Sequence, residues 1–236
     1  LAPTITALSF CKKILIANKE SIICGWNLIK KISLINDTKI VPIDSEHFSI
    51  NKLLDHHSIK DIKKIYITAS GGPFLNYTFN ELKLVTPKKA LKHPKWKMGK
   101  KISIDSSTLM NKILELIEAQ KLFNIPLNKL DIIIHPESLV HAVIKLKNGL
   151  TKFIYHETSM IIPLANAIFE ESLNIEDFYR FKYNKNLKPI EDLTFKTVNE
   201  KIFPTIKLKN KVNEHPSTSI IINASNEILV DQFLRK

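Results

Sequence analysis

A chain of 236 residues with 44% hydrophobic and 25% charged side chains holds enough apolar material for a real core, and disorder is excluded on composition. Polar residues interrupt every apolar run well short of the roughly 18 needed to cross a bilayer, so no membrane partner is expected. The net charge of +12 raises nucleic acid as a partner, yet only two of the 35 basic residues are arginine (Arg180, Arg235), and specific readers favour the arginine fork.

Lysine, isoleucine and asparagine are over-used together, as a coding bias toward A and T produces. Lysine is then the default surface residue, and no nucleic acid is expected. The chain opens on Leu1-Ala2-Pro3, without an initiator Met or a basic-then-apolar leader. Cys11 and Cys24 make neither a disulfide framework nor a zinc set, and read as ordinary core thiols of a reducing compartment.

Five short apolar runs end in polar clusters, as buried strands of an α/β fold do. Ile14–Ala17 leads to Asn18-Lys19-Glu20, and Lys39–Ile43 to Asp44-Ser45-Glu46. Ile65–Thr68 leads to Ser70-Gly71-Gly72, Ile102–Ile104 to Asp105-Ser106-Ser107, and Asp131–Ile134 to His135-Pro136-Glu137. Ligands collect at the carboxyl ends of strands in open α/β sheets, so five such clusters point to one shared site. With five glycines in all, no GxGxxG or P-loop pattern exists here.

Thr108–Phe123 predicts a well-buried helix preceded by Asp and Ser residues as caps. Leu139–Lys147 and Leu150–Tyr155 read as a hairpin around Asn148-Gly149. Residues 170–215 read as a linker with short elements, and Ser219–Leu234 as a second amphipathic helix.

Asp44 and Glu46, two apart at a strand end, face the same side, and converging carboxylates suit Mg²⁺ or Mn²⁺. A lone D-x-E pair is more often two solvated acids. Asn111, Lys112, Glu115 and Glu118 share a helical stripe; a solvated Lys–Glu pair is the plain alternative. That helix follows Ser106-Ser107-Thr108, so its start reads as an anion site, with Glu115 free for a metal. Ser70-Gly71-Gly72-Pro73-Phe74 lets backbone approach a ligand closely, although Gly-Gly-Pro is also an ordinary turn. His93–Gly99, in a stretch with eight lysines against one acid, is a solvated loop or a lid. His135, His141 and His156 are irregularly spaced and read as satisfied or surface histidines rather than zinc ligands.

Taken in order, ANKES (17–21), PIDSEH (42–47), TASGGPF (68–74), HPKWKMGKKISIDSSTLMNK (93–112), IEA (117–119) and IHPESLVH (134–141), with LTF (193–195) and INASNE (222–227), resemble 1-deoxy-D-xylulose 5-phosphate reductoisomerase. The resemblance runs from about residue 3 to residue 234. It implies an enzyme using NADPH and a divalent metal (Mg²⁺ or Mn²⁺, with Co²⁺ a third candidate) that rearranges and reduces a phosphorylated ketose. Metal ligation falls on Asp44, Glu46 and Glu115, and catalysis on these with Lys19. Substrate contacts fall on Ser45, Ser70, His93, Ser106, Asn111 and Lys112. Cofactor contacts fall on Asn18, Lys19, Glu20, Trp96, Met98, Gly99 and Met160.

The implied architecture is α/β. It comprises the end of a Rossmann-like NADPH domain (1–26), a catalytic domain with a mostly parallel sheet (27–169), a linker (170–215) and the start of an α-helical domain (216–236). The family's glycine-rich dinucleotide turn is expected N-terminal to residue 1. Ile113 stands where the family usually has glycine, and Ile161 replaces a common basic residue. A homodimer, in the bacterial cytoplasm or a plastid-type organelle, is also implied. The alternatives are a sugar-phosphate isomerase or lyase without nicotinamide, or a non-catalytic basic nucleic-acid module.

Overall fold

The computed structural model describes residues 1–55, 57–96, 98–170, 174–175 and 192–235. The chain starts with α1 (Ala2–Leu8) and β1 (Lys13–Ile16), followed by α2 (Lys19–Ile35) and β2 (Lys39–Pro42). β1 and β2 pair in parallel, and α2 is the crossover that parallel pairing demands. Leu8, Ile16, Ile22 and Ile29 form the small core beneath it. α2 kinks at Gly25, whose backbone is non-helical. The expected boundary after residue 26 falls beside this kink, while β1 before it pairs with β2 beyond it.

Then come α3 (Ser45–Leu54), β3 (Ile62–Ala69), the single turns α4 (Phe79–Leu82) and α5 (Pro87–Ala90), α6 (Lys100–Ser107) and α7 (Met110–Phe123). The chain returns to the sheet with β4 (Leu130–Ile134), β5 (Val140–Leu146) and β6 (Thr151–Tyr155), and continues through α8 (Ile161–Phe169), β7 (Lys196–Thr197) and α9 (Thr218–Leu234). The second sheet has the order β6-β5-β3-β4-β7. One face of β3 (Ile65, Ile67, Ala69) packs in the same core as α7 residues Ile113, Leu114, Leu116 and Ile117. Ile113, where the resemblance leads one to expect glycine, is fully buried there.

The α/β class agrees with expectation, but this sheet is mixed rather than mostly parallel. β3 and β4 run parallel, whereas β3–β5, β5–β6 and β4–β7 are antiparallel. The Asn148-Gly149 hairpin accounts for one reversal: Gly149 takes a positive φ of 92°, as a tight turn between antiparallel strands requires.

The expected strand at Ile102–Ile104 is helical, inside α6. Three residues of apolar–polar alternation fit either period. The deciding signal is Lys101 and Asp105, which pair one turn apart at 3.0 Å, a helical spacing. In consequence Ser106-Ser107-Thr108 close α6 instead of opening α7. Leu109, with φ of 59°, makes the corner between the two helices, and the Thr108 hydroxyl accepts from Met110 N–H at 3.3 Å.

The linker expectation falls partly on 171–173 and 176–191, outside the described residues. Residues 192–215 carry short elements that join the main core: β7 extends the sheet, and Phe203 and Val212 are buried in it. Cys11 is exposed rather than core, and Cys24 is partly buried; both are free thiols. No helix among the described residues is long and apolar enough to cross a membrane.

Candidate active site

A cavity of about 270 Å³ opens where β1, β2 and β3 end against α6 and α7. Lys19, Asp44, Ser45, Glu46, Ser70 and His93 line it, with Trp96, Met98, Ser106, Asn111, Lys112, Glu115 and Met160. Asn18, Glu20 and Gly99 lie off its walls. Asn18 caps α2 by accepting from Ser21 N–H at 2.9 Å, and Glu20 pairs with Lys101 at 3.0 Å.

Asp44 and Glu46 converge, though not through strand alternation. β2 stops at Pro42, Asp44 sits at the N-cap of α3, and Glu46 lies in the first helical turn. Carboxylates are favoured there by the helix dipole. Glu115 reaches the same point from the second turn of α7, and carboxylate oxygens of the three residues lie within 4.8 Å of one another.

Two lysines thread between the acids. Lys112 Nζ lies 2.6 Å from Glu46 Oε1 and 2.8 Å from Glu115 Oε2. Lys19 Nζ lies 3.0 Å from Asp44 Oδ2, 3.4 Å from Glu115 Oε1 and 2.9 Å from Asn111 Oδ1. Asn111 Nδ2 also donates to Glu115 Oε1, and Ser45 Oγ donates to Glu46 Oε2 at 2.7 Å. The helical stripe is therefore a buried network rather than a solvated pair.

The electrostatics follow from burial set against pairing. Burial alone would neutralise Lys19, but Asp44 and then Glu115 outweigh it and raise its pKa well above the lysine range. Lys112 is likewise raised against burial, by Glu115 and Glu46. Burial opposes ionisation of Glu46, yet the charge of Lys112, with His141 nearby, holds its pKa well down. Glu115 goes the other way: burial first, then crowding by Glu46, raises it despite its two lysines.

Ser70 Oγ and His93 Nε2 meet at 3.0 Å. His93 Nδ1 accepts the backbone N–H groups of Trp96 (2.9 Å) and Lys95 (3.2 Å), which places the ring proton on Nε2 and makes that atom the donor. Burial, and next the charge of Lys112, lower the His93 pKa to about 4, so the ring is neutral. The Gly71-Gly72 pair does permit a close approach, but to protein: a Cβ on Gly72 would lie 2.8 Å from the Ser106 carbonyl oxygen. The glycines thereby bring the ends of β3 and α6 together at the cavity.

Sequence reading missed His47 and misread His141. His47 is fully buried behind the acids, its Nε2–H donating to the Glu115 carbonyl at 2.9 Å. It lay unnoticed inside PIDSEH because its partners are about 70 residues away. His141, expected as satisfied or exposed, lines the cavity, and its Nε2 has no hydrogen-bond partner among the described residues. His135 is satisfied as expected, between the Thr194 carbonyl (2.9 Å) and Leu139 N–H (3.2 Å).

Two family models match consecutive parts of the chain: the 1-deoxy-D-xylulose 5-phosphate reductoisomerase C-terminal domain over residues 40–123 and the DXP reductoisomerase C-terminal domain over residues 157–236. A curated 1-deoxy-D-xylulose 5-phosphate reductoisomerase from Pelagibacter ubique is 48% identical over 99% of this chain and 60% of its own length. One from Wolbachia pipientis of Culex pipiens is 44% identical over 100% and 60%. Among solved structures, a DOX-P reductoisomerase in complex with NADPH, fosmidomycin and magnesium superposes with a TM-score of 0.84 at 33% identity, covering 100% of this chain and 59% of the other. The Zymomonas mobilis enzyme in complex with NADPH gives 0.81 at 33%, covering 98% and 59%. The chain thus spans about 60% of the length of the curated relatives it matches.

Proposed function

The chain belongs to the 1-deoxy-D-xylulose 5-phosphate reductoisomerase family, and from that premise we propose that it carries the catalytic part of such an enzyme. The reaction is the NADPH- and divalent-metal-dependent conversion of 1-deoxy-D-xylulose 5-phosphate to 2-C-methyl-D-erythritol 4-phosphate, which supplies isoprenoid precursors without mevalonate. The observation that carries the reading is the convergence of Asp44, Glu46 and Glu115 from two distant helices into one cavity.

Those residues fit Mg²⁺ or Mn²⁺: the donors are all carboxylate oxygens, buried or nearly so, and they converge within 4.8 Å of one another, the hard-oxygen set that such cations take. A divalent cation held there supplies stabilisation of negative charge on substrate oxygens. NADPH supplies the hydride for the reduction.

The chain's own residues bind and orient. Lys112 spends two N–H donors on Glu46 and Glu115, and an ammonium has three, so one remains for a phosphate oxygen. The neutral His93 Nε2–H, the Ser70 and Ser106 hydroxyls and the Asn111 amide complete a grip on the ester, remote from the reacting carbons. Ser45 sits at the hydroxyl end. Lys19 is held as an ammonium by Asp44 and Glu115, and serves as a fixed positive charge and hydrogen-bond donor at Nζ. Trp96 and Met98 cover the cavity and exclude water from the aldehyde intermediate. Met160, in the cavity wall, would contact the nicotinamide, and Asn18, Glu20 and Gly99, off that wall, would hold other parts of the cofactor.

In this reading residues 1–26 finish the cofactor domain, 27–169 are catalytic, 170–215 connect, and 216–236 begin a helical domain of a cytoplasmic homodimer. A protein spanning the relatives' full length should oxidise NADPH with the ketose phosphate only when Mg²⁺ or Mn²⁺ is present. Lys112→Ala and Ser106→Ala should impair the phosphorylated substrate far more than its dephosphorylated analogue. No NADPH oxidation with metal present, or equal losses on both substrates, would overturn the reading.

A further inference from the structure

An aromatic column rises from the core to the cavity. Phe48 meets His156 edge-on at 6.1 Å, His156 stacks on His141 at 4.1 Å and 17° from parallel, and His141 carries Trp96 edge-on at 6.1 Å. His141 lies where the β5–β6 register shifts between Val140 and Val143, an irregularity of the kind that re-aims a side chain. Its Nδ1 is 3.9 Å from Glu46 Oε1. Its Nε2, like that of His156, is buried and has no hydrogen-bond partner among the described residues, and His141 lines the cavity.

His156 follows β6 and is anchored twice. Its backbone N–H donates to the Leu139 carbonyl at 2.9 Å, and its ring Nδ1 meets the Glu157 carbonyl at 2.8 Å. A carbonyl only accepts, so Nδ1 carries the proton. Burial first, and the neighbouring His141 second, lower its pKa to about 4; the ring is neutral and can stack closely on another imidazole.

We propose that His156 is a positioning residue for the substrate subsite: its ring holds His141 flat beneath Trp96, and so fixes the part of the cavity wall that His141, Trp96 and Glu46 form. This rests on the reading that the cavity takes that substrate. The stack supplies orientation rather than charge, because a neutral planar ring restricts its neighbour by contact alone.

The test compares a planar with a non-planar replacement in the full-length protein. His156→Phe keeps a flat ring, and KM for the ketose phosphate should stay within about twofold of the parent; His156→Leu should raise KM about tenfold while kcat changes by less than about threefold. Trp96 provides a second readout that needs no turnover. With every other tryptophan of that protein replaced by phenylalanine (Trp26→Phe among them), Trp96 emission should match the parent in His156→Phe and move to the red in His156→Leu. If His156→Leu does not fold, Phe48→Leu at the base of the column must show the same KM rise and red shift. Unchanged KM and emission without the ring, or a Phe variant as impaired as the Leu variant, overturns the proposal. A full-length parent with no turnover overturns the catalytic reading on which it rests, whereas the emission comparison is decided separately.

Discussion

Glu118 Oε2 lies 3.5 Å from His47 Nδ1, with both side chains fully sealed from solvent and neither Glu118 oxygen accepting a hydrogen bond from any of the described residues. Burial raises the Glu118 pKa more than His47 lowers it, to about 7 from 4.5. For His47, burial lowers the value, but Glu118 and then Asp44 more than reverse this, to about 9 from 6.5. Both folded values exceed the unfolded ones, so the native state binds more protons. The contribution of Glu118 is full below pH 4.5 and is lost as pH rises through about 7; that of His47 is full below 6.5 and is lost through about 9. In chelator the thermal midpoint should therefore fall as pH rises from 5 toward 9, roughly following these values. Glu118→Gln removes one proton site and the main charge that raises the other, and should flatten the curve. A parent curve as flat as the variant's would contradict the pairing.

Substitution of the three acids should separate metal binding from folding. Glu46→Gln and Glu115→Gln keep side-chain volume, and Asp44→Ala removes an N-cap residue that makes no side-chain capping bond. On the proposed reading, in a protein of the relatives' full length, each should weaken Mg²⁺ or Mn²⁺ binding, measured calorimetrically, by about 100-fold or more and abolish metal-dependent turnover. Undiminished binding in any one variant removes that residue from the ligand set.

The chain pattern made β1, β2, β3 and β4 legible, since each is a short apolar run bounded by polar residues, and the hairpin was legible from Asn148-Gly149. Sheet order was not, because β7 is two residues long and no local signal pairs Lys196 with Ile134. The acids were found for a partly mistaken reason: Asp44 and Glu46 converge on a helix start, where an extended dipeptide and a first turn look alike in sequence. Histidine roles were the least legible. His47, His141 and His156 each act through residues from distant elements, and spacing carries no trace of such contacts.

Glycines 72 and 99 should respond oppositely to alanine. At Gly72 φ is +62°, and the added Cβ would lie 2.8 Å from a backbone oxygen of Ser106, which cannot yield as a flexible side chain could. Gly72→Ala should cost about 1–3 kcal/mol of stability and, in a full-length protein with the proposed activity, raise KM for the phosphorylated substrate by displacing Ser106. Gly99, at the N-cap of α6 with φ of −64°, has none of the described residues within 4 Å of the added carbon beyond its chain neighbours and its own helix backbone. Gly99→Ala should cost no more than about 1 kcal/mol. Denaturant titration of both variants checks the contrast, and equal losses would contradict the close approach.

The last relationship ties three helices together. Asp105 on α6 accepts from Asn226 Nδ2 of α9 at 2.8 Å and pairs with Lys101 at 3.0 Å; Lys101 in turn pairs with Glu20 on α2 at 3.0 Å. The Asp105 side chain is 2% exposed, so a second carboxylate placed against it would be poorly screened. Asn226→Asp does this, and should lower stability by at least about 2 kcal/mol. Asp105→Asn keeps an oxygen for Asn226 but loses the charge that holds Lys101, and should cost less. In the double variant Asp105→Asn/Asn226→Asp, the amide and carboxylate exchange places and the bond between helices can form again. It should recover a substantial part of the Asn226→Asp loss, read as a non-additive coupling in a double-mutant cycle. Strict additivity would mean that α9 is held to α6 by apolar contacts such as Val230 with Ile104, and that the polar tie contributes nothing to holding Ser106, the next residue along, at the cavity wall.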